Sequence, residues 1–288
     1  MELTGESYSK ENFKILEDKH IPNMDIVYDM IHGKENSVPV YVVRNYIGKD
    51  NCKKLKKKFY EIIDRTHGGN RPSDDFVQVY QIGATQFHKE TDEFFNECIK
   101  TKELVNELLS SISDYENLND FMLETSIREY MLEKKIHFGP SYKNGNYCNL
   151  FTARLWRDNK EKKFALNAHD DLAQLNYAKR DQFEICTVKN VIACNLCVEN
   201  KEDAQLFIWN ISPDEASKKA LDIESTGYPY PLSAIKDIKY LSVKTEPGDL
   251  YFINANYIHA VEKKQKDKRI TLGRFIGSSS DRRIVYWT

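Results

Sequence analysis

The sequence predicts an α+β fold in which mainly helical segments precede a β-rich half, itself a sandwich or a double-sheet barrel such as a jelly roll. Apolar residues recur at helical spacing in the first half. After Gly145, many short β-prone runs alternate with turn signals. The 288 residues are 41% hydrophobic and 12% aromatic, which is sufficient for one large core. We therefore predict a single domain.

Three regions follow one another along this domain. Residues 1–36 are polar and interrupted by Gly and Pro, which predicts a loosely held, irregular arm. Residues 37–140 form a mainly helical support, with a first strand at 38–44 and a helix that Asp50 can cap. Residues 141–288 contain the barrel. The further strands predicted are 76–81, 148–156, the run that ends near His169, 191–198, 205–211, 240–244, 249–254, 258–261, 269–276 and 283–287.

Composition restricts the partners and the compartment. The net charge is only −2 with both signs interspersed, so neither a nucleic-acid partner nor a membrane is expected. Six irregularly spaced cysteines and an N-terminus without a signal sequence predict a reducing cytoplasm. Cys194 and Cys197 fall in an apolar strand on opposite faces, which favours core packing over metal binding. The sequence leaves the oligomeric state open.

A candidate metal site lies in the β-rich half. Side chains alternate along a strand, so His169 and Asp171 are expected to share a face, with Asp170 on the other. A His-x-Asp pair alone is common by chance. A second imidazole, His259, follows another predicted strand about ninety residues later. Together the three residues would form the 2-His-1-carboxylate triad of a non-haem iron(II) site with open coordination positions.

A carboxylate receptor is predicted next to this triad. Arg269 lies ten residues beyond His259, and Thr271 falls on the same strand face. A guanidinium with a neighbouring hydroxyl can bind a carboxylate through two parallel hydrogen bonds. Arg274 is a second possible partner, although it lies on the opposite face of an unbroken strand.

These residues also carry a family resemblance. The runs 149–156, 169–171 and 247–253, with His259 and 269–271, resemble the core of the iron(II)- and 2-oxoglutarate-dependent dioxygenases, in the branch that includes prolyl-4-hydroxylase-like enzymes. The resemblance covers about residues 147–277. It implies a double-stranded β-helix (jelly-roll) core buttressed by N-terminal helices. It further implies that His169, Asp171 and His259 bind iron, and that Arg269 and Thr271 hold the far carboxylate of 2-oxoglutarate.

The activity implied is oxidation by O2. Iron(II) and O2 convert 2-oxoglutarate to succinate and carbon dioxide while an unactivated C–H bond of the substrate is hydroxylated. Halogenases of this superfamily lack the carboxylate ligand, so Asp171 argues against halogenation. Desaturation and cyclisation remain open. The expected substrate is a small molecule such as an amino acid or a natural-product intermediate. The alternatives are a peptidyl or protein hydroxylase, a non-redox jelly-roll protein that binds a metal or ligand, and a hydrolytic zinc site.

Substrate contacts are less strongly indicated. Arg154 and Arg157 could bind a substrate carboxylate, or could equally pair with a surface acid. Trp209 and Trp156 could line the pocket, although large aromatics in strands are more often core residues. The segments 67–71 and 170–180 are candidate lids, because of the glycines in the first and the position of the second beside the metal motif.

Overall fold

The structure, a computed structural model, describes residues 2–68, 79–87, 89–156, 164–201, 204–262 and 268–288, with backbone only for Val79 and Trp156. The helices are α1 (Met24–His32), α2 (Lys49–Arg65), α3 (Thr91–Ser110), α4 (Glu124–Glu133), α5 (Ala173–Arg180), α6 (Glu215–Ala220) and α7 (Leu232–Ile235), with 3-10 turns at Leu118–Leu123 and Glu184–Thr187. The strands are β1 (Gly5–Glu6), β2 (Ile15–Lys19), β3 (Val40–Arg44), β4 (Val79–Ile82), β5 (His137–Pro140), β6 (Tyr142–Lys143), β7 (Asn146–Tyr147), β8 (Thr152–Trp156), β9 (Phe164–His169), β10 (Ile192–Asn200), β11 (Gln205–Trp209), β12 (Ser212–Pro213), β13 (Tyr240–Lys244), β14 (Leu250–Asn254), β15 (His259–Glu262), β16 (Arg269–Ser280) and β17 (Arg283–Trp287).

Two sheets dominate the second half, and together with the helices they are consistent with an α+β fold. A nine-stranded sheet has the order β2-β3-β14-β10-β16-β17-β5, and β8 extends it by pairing with both β16 and β4. A four-stranded antiparallel sheet has the order β13-β11-β15-β9. Side chains from both sheets line one cavity, so the site described below lies between them.

The central strand of the larger sheet is β16, which is four residues longer than the sequence indicated. It pairs with β10 on one side and, along successive parts of its length, with β8 and β17 on the other. Side chains of β16 alternate between the two faces of the sheet, and from Arg269 to Arg274 all of them are buried, so both faces are covered there. This alternation decides which of its arginines reach the cavity.

The helices of the first half pack against the larger sheet. Helix α2 buries Leu55, Phe59 and Ile62, which recur at the three- and four-residue spacing of one helix face. Its first turn contains Asp50, as predicted, but the N-cap position is Gly48, so the capping role assigned to Asp50 is wrong. Within the described ranges, no helix is long and apolar enough to cross a membrane.

The first 36 residues are more ordered than the sequence indicated. β1 pairs with β12, β2 extends the edge of the larger sheet alongside β3, and α1 follows. The sequence does not reveal this order, because β1 is exposed and the side chains of β2 are exposed or only half-buried, so neither strand has a buried apolar pattern. The division into regions 1–36, 37–140 and 141–288 stays a prediction.

A second, smaller core covers the outer face of the four-stranded sheet. It is formed by strand residues of β9, β11 and β15 together with the segment that contains α6 and α7, and Leu3 of the N-terminal arm joins it. All six cysteines have free thiols, and five of them, including Cys194 and Cys197, are buried, in agreement with the core-packing prediction for that pair.

Candidate active site

Two imidazoles face each other across adjacent strands of the smaller sheet. His169, the last residue of β9, is the direct partner of His259, the first residue of β15, and the two ring centroids are 4.1 Å apart. The next pair in this ladder is Leu166 with Val261. Between the two pairs, two residues of β9 oppose one residue of β15, so a β-bulge precedes His169. Bulges are common next to active sites because they redirect a side chain.

Asp171 completes the cluster from the turn that follows β9. Its carboxylate oxygens lie 3.2 Å from His259 Nε2 and 3.9 Å from His169 Nε2. One ligand atom from each of the three residues lies within 4.8 Å of the others. In the part of the chain that the structure describes, this is the one group of three or more His, Cys, Asp or Glu side chains so arranged.

Backbone carbonyls orient both imidazoles towards the cluster. His169 Nδ1 is 2.7 Å from the carbonyl oxygen of Asn167, and His259 Nδ1 is 2.9 Å from that of Tyr257. A carbonyl can only accept, so each Nδ1 carries a proton and donates it, and in the neutral form of each ring Nε2 is then the metal-binding nitrogen. This donor set of two imidazole nitrogens and one carboxylate fits iron(II) with open positions.

The electrostatics of the three donors differ. Burial lowers the pKa of His169 to about 4, and the neighbouring His259 adds to that shift, so this imidazole is neutral at pH 7. Burial also opposes the charged form of His259, but the hydrogen bond and charge of Asp171 outweigh it and raise the pKa. Burial opposes ionisation of Asp171 too, yet the hydrogen bond from His259 and the charges of the imidazoles and of Arg154 hold the carboxyl pKa below its ordinary value. Asp171 is therefore ionised.

The backbone of Asp171 is fixed on both sides. Its N–H donates to the carbonyl of Ala255 over 3.0 Å, and its carbonyl accepts from Gln174 Nε2 over 2.8 Å. Gln174 Oε1 in turn accepts from the indole N–H of Trp287 over 2.7 Å. The penultimate residue of the chain thus supports the metal-ligand turn. Neither Gln174 nor Trp287 was identified from the sequence, since no local pattern connects them.

Arg269 and Thr271 lie on the cavity face of β16, as alternation predicts. Arg269 is 2% exposed, and its Nη2 donates to the hydroxyl of Tyr251 over 3.1 Å. Both residues line the same cavity as the metal cluster. The cavity therefore has metal donors and a buried guanidinium, which together match the two ends of a 2-oxo dicarboxylate.

Arg274 lies on the opposite face of β16 and does not reach the cavity. Its guanidinium forms an ion pair with Glu124 at 2.8 Å, donates to the carbonyl of Met122 over 2.7 Å, and stacks 4.3 Å from the ring centre of Tyr286. These contacts link α4 to the larger sheet. The possibility that Arg274 binds the cosubstrate carboxylate is therefore wrong.

Arg154 also reaches the cavity, from β8. It is the cross-strand partner of Thr271, and its guanidinium donates to Gln81 Oε1 over 3.3 Å and to Thr85 Oγ1 over 3.1 Å. Gln81 is itself fixed by a bond from its Nε2 to the carbonyl of Gly83. A second guanidinium is thus held in the same cavity.

Among the other predicted substrate contacts, the structure describes the side chain of Trp209, which lies away from the cavity. Trp209 is 6% exposed and lies in the second core against Phe164 and Tyr240, whereas Leu206 of the same strand lines the cavity. Residues 206 and 209 are an odd number apart, so they point to opposite faces, and the prediction for Trp209 is wrong. Arg157 and the side chain of Trp156 lie outside the described residues, as does most of the candidate lid 67–71. The candidate lid 170–180 contains the metal-ligand turn and α5.

Several apolar and amide side chains at the cavity were missed. The wall includes Leu166, Ile253, Val261, Phe275 and Asn195. A Cβ atom at position 273 would overlap Oδ1 of Asn195, so the glycine there makes room for this amide. Gly273 lies between Thr271 and Phe275 on the cavity face of β16. A glycine at such a position is the one sequence signal that could have indicated a side chain close to the strand there.

The comparisons with known proteins agree with this geometry. The family model described as "Carrier-protein-independent halogenase WelO5" matches residues 35–288. The chain belongs to the WelO5 family. A protein of Pantoea ananatis (strain AJ13355), named L-isoleucine 3(1)-dioxygenase, is 40% identical over 290 residues, which cover 99% of this chain and 96% of that protein.

A solved structure supports the fold. The crystal structure of an N-substituted L-amino acid dioxygenase in complex with alpha-KG, from Burkholderia ambifaria AMMD, aligns with a TM-score of 0.52 at 12% identity over 92% of this chain and 90% of that chain. This WelO5-family chain is an iron(II)- and 2-oxoglutarate-dependent dioxygenase. The superfamily prediction is confirmed, whereas nothing in the matches points specifically to the prolyl-4-hydroxylase-like branch. Because a carboxylate, that of Asp171, lies beside the two imidazoles, the family model's name does not make this chain a halogenase.

Proposed function

We propose that this dioxygenase hydroxylates an unactivated C–H bond of a free amino acid with an aliphatic side chain. One observation carries the proposal: two guanidinium groups, those of Arg269 and Arg154, reach the cavity that holds the metal donors. The cosubstrate needs only one of them, because its 2-oxo acid end binds the metal. The second, Arg154, would recognise a carboxylate on the substrate.

The roles of the side chains follow from this arrangement. His169, Asp171 and His259 would hold iron(II), which with O2 and 2-oxoglutarate supplies the oxidising power, with succinate and carbon dioxide as coproducts. Arg269, assisted by Thr271, would hold the far carboxylate of 2-oxoglutarate. Arg154, positioned by Gln81 and Thr85, would hold the carboxylate of the substrate and so direct its side chain.

The cavity wall supports an aliphatic side chain. Leu166 and Val261 are cross-strand neighbours beside the two imidazoles, and both line the cavity. Apolar walls bind an aliphatic chain by burying its surface, and they offer no hydrogen bonds that would favour a polar one. The 40% identity to a protein named L-isoleucine 3(1)-dioxygenase along almost its whole length supports the same substrate class.

Architecture and compartment are part of the proposal. The sheet orders β8-β16-β10-β14 and β13-β11-β15-β9 support a double-stranded β-helix buttressed by the N-terminal helices. Six free thiols and an evenly mixed surface charge support a cytoplasmic enzyme that acts on a small molecule rather than on nucleic acid or a membrane.

The test is a substrate panel with a product readout. Purified enzyme with Fe(II), 2-oxoglutarate and O2 would be offered isoleucine, leucine, valine and methionine, each also as its amide and within a short peptide. We expect O2-dependent succinate, and a product heavier by one oxygen atom, from free amino acids only. Arg154→Gln should raise KM for the amino acid by more than tenfold and leave the 2-oxoglutarate affinity within about threefold, since a charged hydrogen-bonded contact contributes about 1.5–3 kcal/mol.

The alternatives give different results. Turnover of peptides and not of free amino acids would indicate a peptidyl hydroxylase. A product lighter by two hydrogens would indicate desaturation or cyclisation. A protein that binds Fe(II) without any 2-oxoglutarate-dependent spectral change would be a non-redox metal-binding jelly roll or a hydrolase, and the proposal would fail.

A further inference from the structure

A buried polar network lies behind the metal-ligand turn. Asp170 stands between the ligands His169 and Asp171 but points to the other face, into the second core, where it is 1% exposed. Lys218 Nζ lies 3.1 Å from Asp170 Oδ2, and the Tyr230 hydroxyl donates to the same oxygen over 2.6 Å. The side chains of Lys218 and Asp170 are 4% and 0% exposed, so this ion pair is closed off from solvent.

The network also fixes the turn's backbone. Asp170 Oδ1 accepts from the N–H of Leu172 over 3.0 Å, and the N–H of Asp170 donates to the carbonyl of Gly227 over 3.0 Å. Gly227 has φ +60°, and a Cβ there would lie 2.8 Å from Asp170 Oδ1. The segment around Gly227 therefore fits closely against the turn, and only a glycine permits this approach.

The cation of this network comes from a helix that the N-terminal arm holds in place. Helix α6 is only six residues long, too short to be stable alone. Its Asp214 cap accepts from the N–H of Ser217 over 2.8 Å. Across the helix, Thr4 donates its backbone N–H to the Ser217 hydroxyl over 2.9 Å and its own hydroxyl to Asp214 over 2.7 Å. The arm thus connects to Asp170 through α6.

We propose that Lys218 and Tyr230 are positioning residues for iron, because they hold Asp170 and thereby set the turn that presents Asp171 to the two imidazoles. Neither residue touches the metal donors. Asp171 has only one residue between it and the end of β9, so its carboxylate position depends on the backbone path through Asp170. A buried carboxylate that loses its cation must find other donors, and any rearrangement it makes moves that backbone. The inference rests on the proposed metal site.

The test measures metal affinity and ligand geometry instead of turnover. Lys218→Met removes the charge at similar length, Tyr230→Phe removes one hydrogen bond, and Lys219→Met is the matched control on the exposed side of the same helix. Fe(II) affinity would be measured anaerobically against a chromophoric chelator, and the Co(II) visible spectrum would report ligand geometry. We expect Lys218→Met to weaken Fe(II) binding about 10-fold, the lower end of the range for direct outer-shell partners of metal ligands, because Lys218 acts through Asp170. The Co(II) spectrum should change, Tyr230→Phe should show a smaller loss in the same direction, and Lys219→Met should match wild type.

The outcomes separate positioning from simple stabilisation. If Lys218→Met and Tyr230→Phe lower Tm but bind Fe(II) within twofold of wild type with an unchanged Co(II) spectrum, the network is structural only and the proposal is overturned. If Lys218→Met does not fold, Tyr230→Phe decides by the same two readouts. The wild-type titration is made before any variant is compared. If the wild-type protein binds no Fe(II), the metal site itself is refuted, and this result is distinct from failure of the positioning role.

Discussion

Replacing Arg269 by Gln should remove most of the affinity for 2-oxoglutarate while leaving iron binding intact. The guanidinium is 2% exposed, so the cosubstrate carboxylate it receives would be equally shielded from solvent. Truncating one partner of a buried, hydrogen-bonded charge pair costs about 2–5 kcal/mol. The Thr271 hydroxyl and the metal-binding end of the cosubstrate remain in the variant, so we expect about 2–4 kcal/mol, or roughly a 30- to 1000-fold rise in Kd.

The assay is an anaerobic titration that follows the visible charge-transfer band of the iron–cosubstrate complex. A second ligand, 2-oxopentanoate, has the same chain length but carries a methyl group in place of the far carboxylate. It should bind weakly to wild type and equally weakly to Arg269→Gln, because the contact removed by the mutation is one this ligand never makes. Arg65→Gln, at an arginine whose side chain is 57% exposed, is the control. A Kd for 2-oxoglutarate within threefold of wild type would show that Arg269 does not receive the carboxylate.

Three further outcomes test other parts of the structure. Asp171→Gly removes a metal ligand, so in chloride-free buffer Fe(II) affinity in the chelator competition should fall at least as far as the roughly 10- to 100-fold typical of outer-shell partners, and hydroxylation of the substrate should cease. Hydroxylation at the wild-type rate without chloride would exclude Asp171 as a ligand. Arg274→Met breaks the buried pair with Glu124 and should cost about 3–5 kcal/mol, seen as a fall in Tm of about 5–8 °C for 288 residues, with the 2-oxoglutarate Kd unchanged. Trp209→Leu should lower the free energy of unfolding in urea by about 2–3 kcal/mol without changing KM for the amino acid; a raised KM would return Trp209 to the substrate site.

Much of the site could be predicted because strand alternation acts locally. One assumption, that β16 is an unbroken strand, placed Arg269 and Thr271 on one face and Arg274 on the other, and the structure has all three in those orientations. The triad needed one step more, the pairing of two strands far apart in sequence. The residue types supplied that step, since two imidazoles and a carboxylate have few other reasons to converge.

The errors have a common physical origin. The face on which Trp209 lies depends on the register between β11 and β15, in which Ile208 opposes His259, and register cannot be read from a single strand. Likewise, the pairing of β1 with β12, the bonds of Thr4 to α6 and the bond from Trp287 to Gln174 join residues more than a hundred positions apart. Such contacts leave no local pattern.

Because His169 and His259 are direct cross-strand partners, a metal bound to both would also stabilise the fold against unfolding. The two residues are 90 positions apart (259 − 169), and an ion bound to both would close the intervening chain into a loop, much as a disulfide does. Metal loading should therefore raise the unfolding temperature in proportion to the logarithm of the free metal concentration above its Kd. An enzyme that has lost its metal should open first along the β9–β15 pairing, so proteolysis there would report the loss before activity is assayed.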